Sequence, residues 1–344
     1  MRLFLALPGT LVLSGLLLAD IVPTPGTQPV KPVFDQADVV CSCAVESLNV
    51  LDEHRLERGG KPLIQRHISA KVQVRDSYKT DVNMGVPLYV EFDEELPTMR
   101  ASMPTLSTGE TGILLLKIIA PSVYGFADPF LGVTPFASIP QQRGSLGLSK
   151  LQSALAGILH GGNRNDRINA LRLLQGIDEL SETTLAQVTP LSVSADPEVA
   201  LSAVAVLLKT RSTDSVDRLE NYLAAYIGEA PVALLSIGTE LGQVRDPKAL
   251  PGLEALASSK YLPIKFGAMD AIRGIKDPQS VPVLIRRLDD SNSNIQYIAV
   301  ITLAEILGKE GDYAPAMYLF DRNPGFYVNL WKTWGDQQGY SIQK

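Results

Sequence analysis

Cysteine and histidine, which most metal sites and many catalytic sites need, are scarce in this chain. Its 344 residues include two cysteines and three histidines, which excludes a disulfide-rich scaffold and leaves little material for a zinc site. Gly-x-Ser-x-Gly, Walker and Gly-x-Gly-x-x-Gly motifs are absent, and these motifs carry a nucleophilic serine, a nucleotide phosphate or a dinucleotide. We therefore predict no catalytic residue, no cofactor and no metal site.

A strong charge of one sign is also missing. The net charge is −6 at pH 7, and no block of five or six like charges occurs. A surface for nucleic acid or for an anionic membrane is therefore not expected. The hydrophobic content of 45% and the charged content of 20% are typical of a globular protein, and the length is sufficient for two domains.

The N-terminus has the pattern of an export signal. Arg2 supplies a positive charge, residues 11–18 form an apolar core, and Ala19 is small enough to precede a cleavage site. The apolar stretch is shorter than the ~20 residues of a membrane span. We predict a signal peptide over residues 1–19 and, after cleavage, a secreted or periplasmic protein without an integral membrane segment. Residues 20–32, rich in Pro, Thr and Gly, are expected to form a flexible leader.

The region over residues 33–140 has the alternation of β-strands. Residues 37–45, 67–74 and 87–92 are β-rich or alternate between apolar and polar side chains, and residues 111–119 form a nearly continuous apolar run. Gly-rich and Asn-rich turns separate these runs. Several short strands at this spacing predict a small antiparallel barrel.

Three short motifs mark the same region. They are Ala37-Asp38-Val39-Val40, then Val72-x-Val74 with Tyr78-Lys79, and Gly109-Glu110-x-Gly112 before Leu114-Leu115-Leu116. Their order resembles the netrin-like domain that is related to tissue inhibitors of metalloproteinases. The resemblance implies an OB-type barrel. It also implies an alternative function, the inhibition or regulation of an extracellular hydrolase through this barrel.

The two cysteines, Cys41 and Cys43, lie within the first predicted strand. They do not pair easily, because both side chains would point to the same face of a strand. We expect two small buried side chains; metal binding and intermolecular disulfides are the alternatives. In the metalloproteinase inhibitors a Cys-x-Cys at the mature N-terminus chelates the target's zinc. That mechanism carries over only if this chain is cut just before Cys41.

Aromatic side chains and prolines alternate over residues 121–140. The aromatic residues are Tyr124, Phe126, Phe130 and Phe136. We expect these rings to fold over the open end of the barrel or against the first repeat, because large apolar groups bury where they can. An aromatic binding loop is the alternative. Residues 141–149 are predicted to be a linker.

A period of 31–33 residues organises the second half of the chain. Apolar residues recur at Ile168, Val199, Val232, Ile264 and Ile295, and Phe326 follows. Such a period is typical of stacked repeats, in which each unit buries its apolar face against the next unit. We predict two helices per unit and an α-solenoid over residues 150–344, with an aromatic C-terminal cap. The expected fold class is therefore two domains, an all-β barrel followed by an all-α stack.

Helix signals also recur within the units. Asp246-Pro247 and Asp277-Pro278 are typical of a helix start, where aspartate accepts free N–H groups and proline loses no hydrogen bond. The segment Val281-Pro282-x-Leu284-x-x-x-Leu288-x-Asp290, followed by Ile295-x-x-x-Ala299, resembles a short HEAT repeat. The resemblance covers about residues 160–335. It implies a curved stack of helix pairs and, most often, a protein-binding role.

The preferred functional hypothesis is a non-catalytic exported scaffold that binds a protein partner. In HEAT stacks the second helix of each pair lines the concave face, and we expect the partner there, with the barrel as a second contact. The candidate solvent-facing residues are Asp217, Glu220, Asn221, Glu254, Ile285, Arg286 and Tyr318. Their mixed chemistry suits a protein surface better than a phosphate or a sugar.

The sequence is also compatible with other functions. A metal-dependent enzyme would use His54 and His67, which lie among carboxylates in and after a charged loop. His160 precedes Gly161-Gly162 and is expected to end a helix. A purely structural role in the cell envelope is a further alternative, and the oligomeric state is left open.

Overall fold

The computed structural model describes residues 30–58, 61–83, 85–96, 105–128, 131–226 and 233–340. The predicted signal peptide, residues 20–29 of the predicted leader, Phe130 and Val232 lie outside these ranges. Within them a β-rich part precedes a helical part, which confirms the predicted fold class. None of the helices in these ranges is long and apolar enough to cross a bilayer.

A five-stranded barrel forms the first part. A short helix, α1 (Val30–Gln36), precedes strands β1 (Val39–Arg58), β2 (Lys61–Lys79), β3 (Leu88–Leu96), β4 (Thr111–Ala120), β5 (Val123–Phe126) and β6 (Val133–Pro135). The barrel closes in the order β1-β2-β3-β5-β4 and back to β1, and β6 pairs with β4. All pairs are antiparallel except β3 with β5, which run parallel. This is the OB-like arrangement expected from the sequence, with one parallel pairing that strand alternation does not reveal.

The two cysteines lie inside the barrel. Cys41 and Cys43 are free and buried in a cluster of aliphatic side chains from β1, β2, β3 and β4. Tyr124 and Phe126 of β5 pack against the same cluster, and Phe136 is buried between the barrel and the helices. These positions confirm the expected burial of the cysteines and the expected packing of the described aromatic rings.

Three strands extend past the closed barrel. We call this extension, residues 46–58 of β1, 61–69 of β2 and 91–96 of β3, the wing. It exists because β4 pairs with only Val39–Ala44 of β1 and β5 pairs with only Tyr89 and Val90 of β3.

The helices after the barrel form pairs. The first helices are α2 (Leu148–Gly161), α4 (Glu182–Val188), α6 (Thr213–Ala225), α8 (Leu250–Leu256), α10 (Val281–Arg287), and in the last unit α12 (Glu310–Tyr313) with α13 (Met317–Arg322). The second helices are α3 (Arg164–Gln175), α5 (Pro197–Leu208), α7 (Ala233–Leu241), α9 (Leu262–Ile275), α11 (Ser293–Leu307) and α14 (Pro324–Gln337). Each second helix contacts the next one. The described apolar repeat positions all fall in the first two turns of second helices, which confirms the predicted pairs.

The predicted helix starts are also present. Asp246 accepts a hydrogen bond from the N–H of Lys248, and Asp277 accepts one from the N–H of Gln279. Each aspartate opens a single 3₁₀ turn that continues into α8 or α10. His160 lies in the last turn of α2, as expected.

The second helices approach one another closely at glycines. A Cβ atom at Gly267 of α9 would overlap the carbonyl oxygen of Gly238 on α7. Two helices reach such a short separation only when small residues face each other. The apolar residues of α5 from Val199 to Leu208 and the serine among them are all buried. The layer of second helices is therefore tightly packed.

The barrel shares one apolar core with the first helix pair, α2 and α3. Phe34 of α1, Val40 and Tyr78 of the barrel, and Leu155 and Leu171 of α2 and α3 belong to the same buried cluster. Residues 30–32, expected to end a flexible leader, instead form the first turn of α1, because Val30 is buried and its N–H donates to the Gly176 carbonyl. The segment 141–149 is also attached to the barrel, since Gly147 N–H donates to the Tyr78 carbonyl at 2.6 Å.

Candidate functional site

The seven predicted partner-binding residues all lie on first helices. Asp217, Glu220 and Asn221 are on α6, Glu254 is on α8, Ile285 and Arg286 are on α10, and Tyr318 is on α13. Their assignment to the second helices was therefore wrong. The period residues Ile264, Ile295 and Phe326 lie near the starts of second helices, so candidates shortly before them in the chain belong to first helices.

Ile285 does not belong to a surface. Its side chain is 2% exposed and packs against α14, where a Cβ at Gly335 would lie 3.1 Å from its Cδ1 atom. The prediction of a solvent-facing Ile285 was wrong because the atypical last unit folds over α10. Tyr318 is exposed, but it lies on the last unit, apart from α6 and α8.

The remaining five residues lie on three consecutive first helices. We call Asp217, Glu220, Asn221, Glu254 and Arg286 the first-helix surface. The residues on α6 and α8 are close together because the two helices are in contact. A Cβ at Gly252 of α8 would lie 3.2 Å from Asp217 Oδ1 and 3.8 Å from Glu220 Oε2 of α6. Gly252 therefore lets the two acidic side chains of α6 rest on α8. The set forms one continuous polar face.

Carboxylates dominate this face. Partial burial raises the pKa of Glu254, and the positive charge of Arg286 on the next helix lowers it in part. Asp217 and Asn221 are exposed, and Asn221 Nδ2 donates to the Asp217 carbonyl at 2.8 Å. The first-helix surface therefore carries three carboxylates and one guanidinium, which makes it acidic.

A groove lined with tyrosines adjoins this surface. Tyr222 and Tyr226 stack with ring centroids 5.5 Å apart, and Tyr261 lies 6.5 Å from Tyr226. The Lys260 ammonium lies 5.0 Å from the centroid of the Tyr261 ring. Glu220 belongs to both the groove and the first-helix surface. The sequence does carry a signal for this pair, since Tyr222 and Tyr226 are four residues apart at the end of α6; the tyrosines were nevertheless not predicted.

Tyr222, whose ring stacks on Tyr226 of the groove, is fixed by a hydrogen bond. The Tyr222 hydroxyl donates to the Pro197 carbonyl at 2.9 Å. Burial raises the pKa of Tyr222 to about 12, and its tyrosine neighbours add to this effect. The Tyr222 ring is therefore neutral at physiological pH and held in place, and it supports the Tyr226 ring that lines the groove.

A second groove lies between the barrel and α3. Glu110, Thr111 and Phe136 line its barrel side, and Asn169 and Arg172 line its helical side. Its charged groups largely neutralise each other. Arg164 pairs with Asp196 and Glu198, and Arg172 pairs with Glu198 as well.

The two histidines considered for a metal site lie on the wing. His67 Nδ1 lies 2.9 Å from Asp93 Oδ1, and its Nε2 lies 3.4 Å from Glu91 Oε2. His54 Nε2 lies 2.9 Å from Asp52 Oδ2. The hydrogen bond to Asp93 raises the pKa of His67, against a smaller effect of burial. Among the described residues, no group of three or more potential ligands is arranged to hold a metal ion.

No protein-family model matches this chain, and no curated protein matches it either. The indications of its function therefore lie in the geometry of these surfaces.

Proposed function

We propose that this protein is a non-catalytic exported scaffold whose protein partner binds the first-helix surface and the adjoining tyrosine groove. One observation carries the proposal. Carboxylates from α6 and α8, with Arg286 of α10 beside Glu254, form an acidic face that meets the tyrosine groove at Glu220. The groove between the barrel and α3 is the second contact.

The chemistry of this face supports a protein partner. Tyrosine and arginine are enriched at protein interfaces, and tyrosine supplies a large contact area at a low cost in conformational entropy. Tyr226 and Tyr261 provide such rings, and Arg286 provides a charged anchor. The excess of carboxylates favours a partner with a basic surface, which it would attract and orient.

Family and location belong to the same proposal. The five-stranded barrel and the helix pairs at a 31–33 residue period support a netrin-like domain followed by HEAT repeats. The charged and apolar pattern of residues 1–19 supports export. Burial of Cys41 and Cys43 disfavours a zinc-chelating inhibitor, because neither sulfur is accessible.

The test is a quantitative affinity capture from the extracytoplasmic fraction. The mature chain from Asp20 serves as bait beside a variant that carries Glu220→Lys and Arg286→Glu. A matched control carries Glu57→Lys and Arg143→Glu, which change the same charges at exposed positions outside the proposed surface.

Mass spectrometry then compares the captured proteins. A partner that the surface variant loses at least about tenfold, and that the control variant retains, supports the proposal. Direct titration of that partner by calorimetry should reproduce the loss. If all three baits captured the same proteins in equal amounts, the proposal would be overturned.

A further inference from the structure

The tyrosine groove runs lengthwise between α6 and α8. At one level a Cβ on Gly252 of α8 would lie 3.8 Å from Glu220 Oε2 of α6. At another level the ring of Tyr261, shortly after α8, lies 6.5 Å from that of Tyr226 at the end of α6. The two helices therefore run side by side in the same direction, and the groove extends from Glu220 to the tyrosine pair. Its volume is about 490 Å³.

The two ends of the groove differ in chemistry. The Glu220 end is acidic, because Asp217 lies beside Glu220 against α8. The other end is aromatic, with the half-buried ring of Tyr226 next to the buried ring of Tyr261. The Lys260 ammonium, 5.0 Å from the centroid of the Tyr261 ring, adds a positive charge at this end. A complementary occupant is therefore apolar at the tyrosines and cationic at Glu220.

The distance between the two ends sets the spacing of these two groups. Glu220 and Tyr226 are six residues apart along α6, which spans about 9 Å at the helical rise of about 1.5 Å per residue. A polyproline II segment rises about 3.1 Å per residue with about three residues per turn, so one turn also spans about 9 Å. Side chains three residues apart then lie on the same side of the segment. One of them can contact Tyr226 while the other reaches Glu220.

The walls of the groove favour this extended conformation over a β-strand. They are helices, whose backbone N–H and C=O groups bond within each helix, so they offer no open sheet edge to a partner's main chain. A polyproline II segment needs no such edge, because its backbone stays solvated. Proline favours this conformation in the free chain, and aromatic-lined grooves recognise proline-rich segments in this way.

We propose that the tyrosine groove binds an extended proline-rich segment in which a lysine or arginine lies three residues from a proline. The proline would contact Tyr226, and the cation would pair with Glu220. Lys260 would set the direction of the segment, because it repels a cation at the tyrosine end. This inference rests on the proposed function, since the segment belongs to the protein partner, and it names the chemistry that the partner must carry.

The test measures binding of short fluorescent peptides to the mature chain by anisotropy. The peptides consist of proline and alanine and carry one lysine at two, three or four residues from the nearest proline pair, in either direction. We expect the tightest binding at a spacing of three, with a Kd below ~1 mM, and loss of binding when glutamate replaces the lysine. Equal affinity at all spacings, or no binding below ~1 mM by any peptide, would overturn the inference.

Two variants locate the bound peptide. Glu220→Lys reverses the charge at the acidic end, and Ala255→Arg places a bulky cation at an exposed position that lines the groove. Each should weaken the best peptide at least about tenfold. Glu57→Lys, at an exposed position on the wing, is the control and should leave the affinity unchanged. Circular dichroism checks that each variant is folded. Binding that survives both groove variants would place the peptide elsewhere and refute the inference.

Competition separates this inference from the proposed function. The best peptide is added during the affinity capture, and we expect it to displace the partner that the surface variant loses. A partner that depends on the first-helix surface but is not displaced would refute the proline-rich segment and leave the proposed function standing. If the peptide binds at the groove but no captured protein depends on the surface, the proposed function fails while the specificity of the groove is supported.

Discussion

Lys150 Nζ lies 2.6 Å from Asp76 Oδ1, and this pair joins α2 to the end of β2. The side chains are only 10% and 11% exposed. Asp76 also accepts the N–H of Gln142, and Lys150 also donates to the Ser77 carbonyl. Both charged groups of this buried pair are therefore satisfied by hydrogen bonds as well as by each other. Together with the shared apolar core, it attaches the barrel to the helical stack at a fixed place.

The first prediction concerns this pair. Lys150→Met keeps the aliphatic stem but leaves the Asp76 carboxylate buried without its cation. Removing one partner of a buried pair costs about 3 kcal/mol or more, so we expect the free energy of unfolding to fall by that amount in urea titrations. Lys31→Met is the control, because Lys31 pairs with Asp35 at an exposed position, and it should not change the unfolding midpoint measurably. Equal midpoints for both variants would contradict a structural role for Lys150.

The helical part could be predicted from the sequence because each repeat carries the same signals. Asp-Pro at a helix start depends on local structure alone, and an apolar residue every 31–33 positions indicates units that stack in one repeated way. The close packing of the second helices could not be predicted this way. It depends on how closely α7 and α9 approach at Gly238 and Gly267, and this distance is a property of the folded stack.

The shared core between the barrel and the stack was also beyond sequence reasoning. Val30 and Tyr78 look like ordinary apolar residues of a leader and a strand, and only the docking of α2 and α3 buries them together. Likewise, Tyr226 and Tyr261 are 35 residues apart, and only the contact between consecutive units brings them into one groove.

A second prediction separates two neighbouring residues of α10. Ile285→Ala removes a buried side chain that packs on Gly335, and we expect it to lower the free energy of unfolding by about 2–4 kcal/mol. Arg286→Ala changes an exposed side chain and should stay within about 0.5 kcal/mol of the wild type. Chemical denaturation of both variants measures the difference. Similar effects at the two positions would show that α14 does not cover α10 as described.

A third prediction tests the glycine contact between α7 and α9. Alanine normally stabilises a helix interior by about 1 kcal/mol relative to glycine. In Gly267→Ala the new methyl group would overlap the Gly238 carbonyl, so we expect a clear loss of thermal stability instead. Gly311→Ala is the matched control, because a Cβ there meets no atom within 4 Å; it should be neutral or stabilising. A stabilising Gly267→Ala would contradict the close approach.

A fourth prediction concerns the pH dependence of the wing. The pKa of folded His67 is raised above its ordinary value of 6.5, chiefly by the hydrogen bond to Asp93. The stabilisation is therefore complete below pH 6.5 and is lost as the pH rises through the folded value. Because the ring is 42% exposed, we expect a small effect, visible as a decline in wild-type stability above pH 6.5 that His67→Gln lacks. In an NMR titration, Asp93→Asn should lower the pKa of His67; an unchanged value would refute the assignment.

The last prediction concerns the two free thiols inside the barrel. Burial raises the pKa of Cys43 to about 12 and raises that of Cys41 well above its ordinary value. Only a thiolate attacks a disulfide reagent, and neither sulfur is accessible in the folded chain. We therefore expect no reaction of the native protein with Ellman's reagent near pH 8, and two thiols per chain after unfolding in urea. A chain with Ser212→Cys, at a partly exposed helix start, is the positive control and should gain one reactive thiol in the native state. Rapid labelling of the wild-type chain without denaturant would show that β1 opens there, and would return Cys41 and Cys43 to the set of candidate metal ligands.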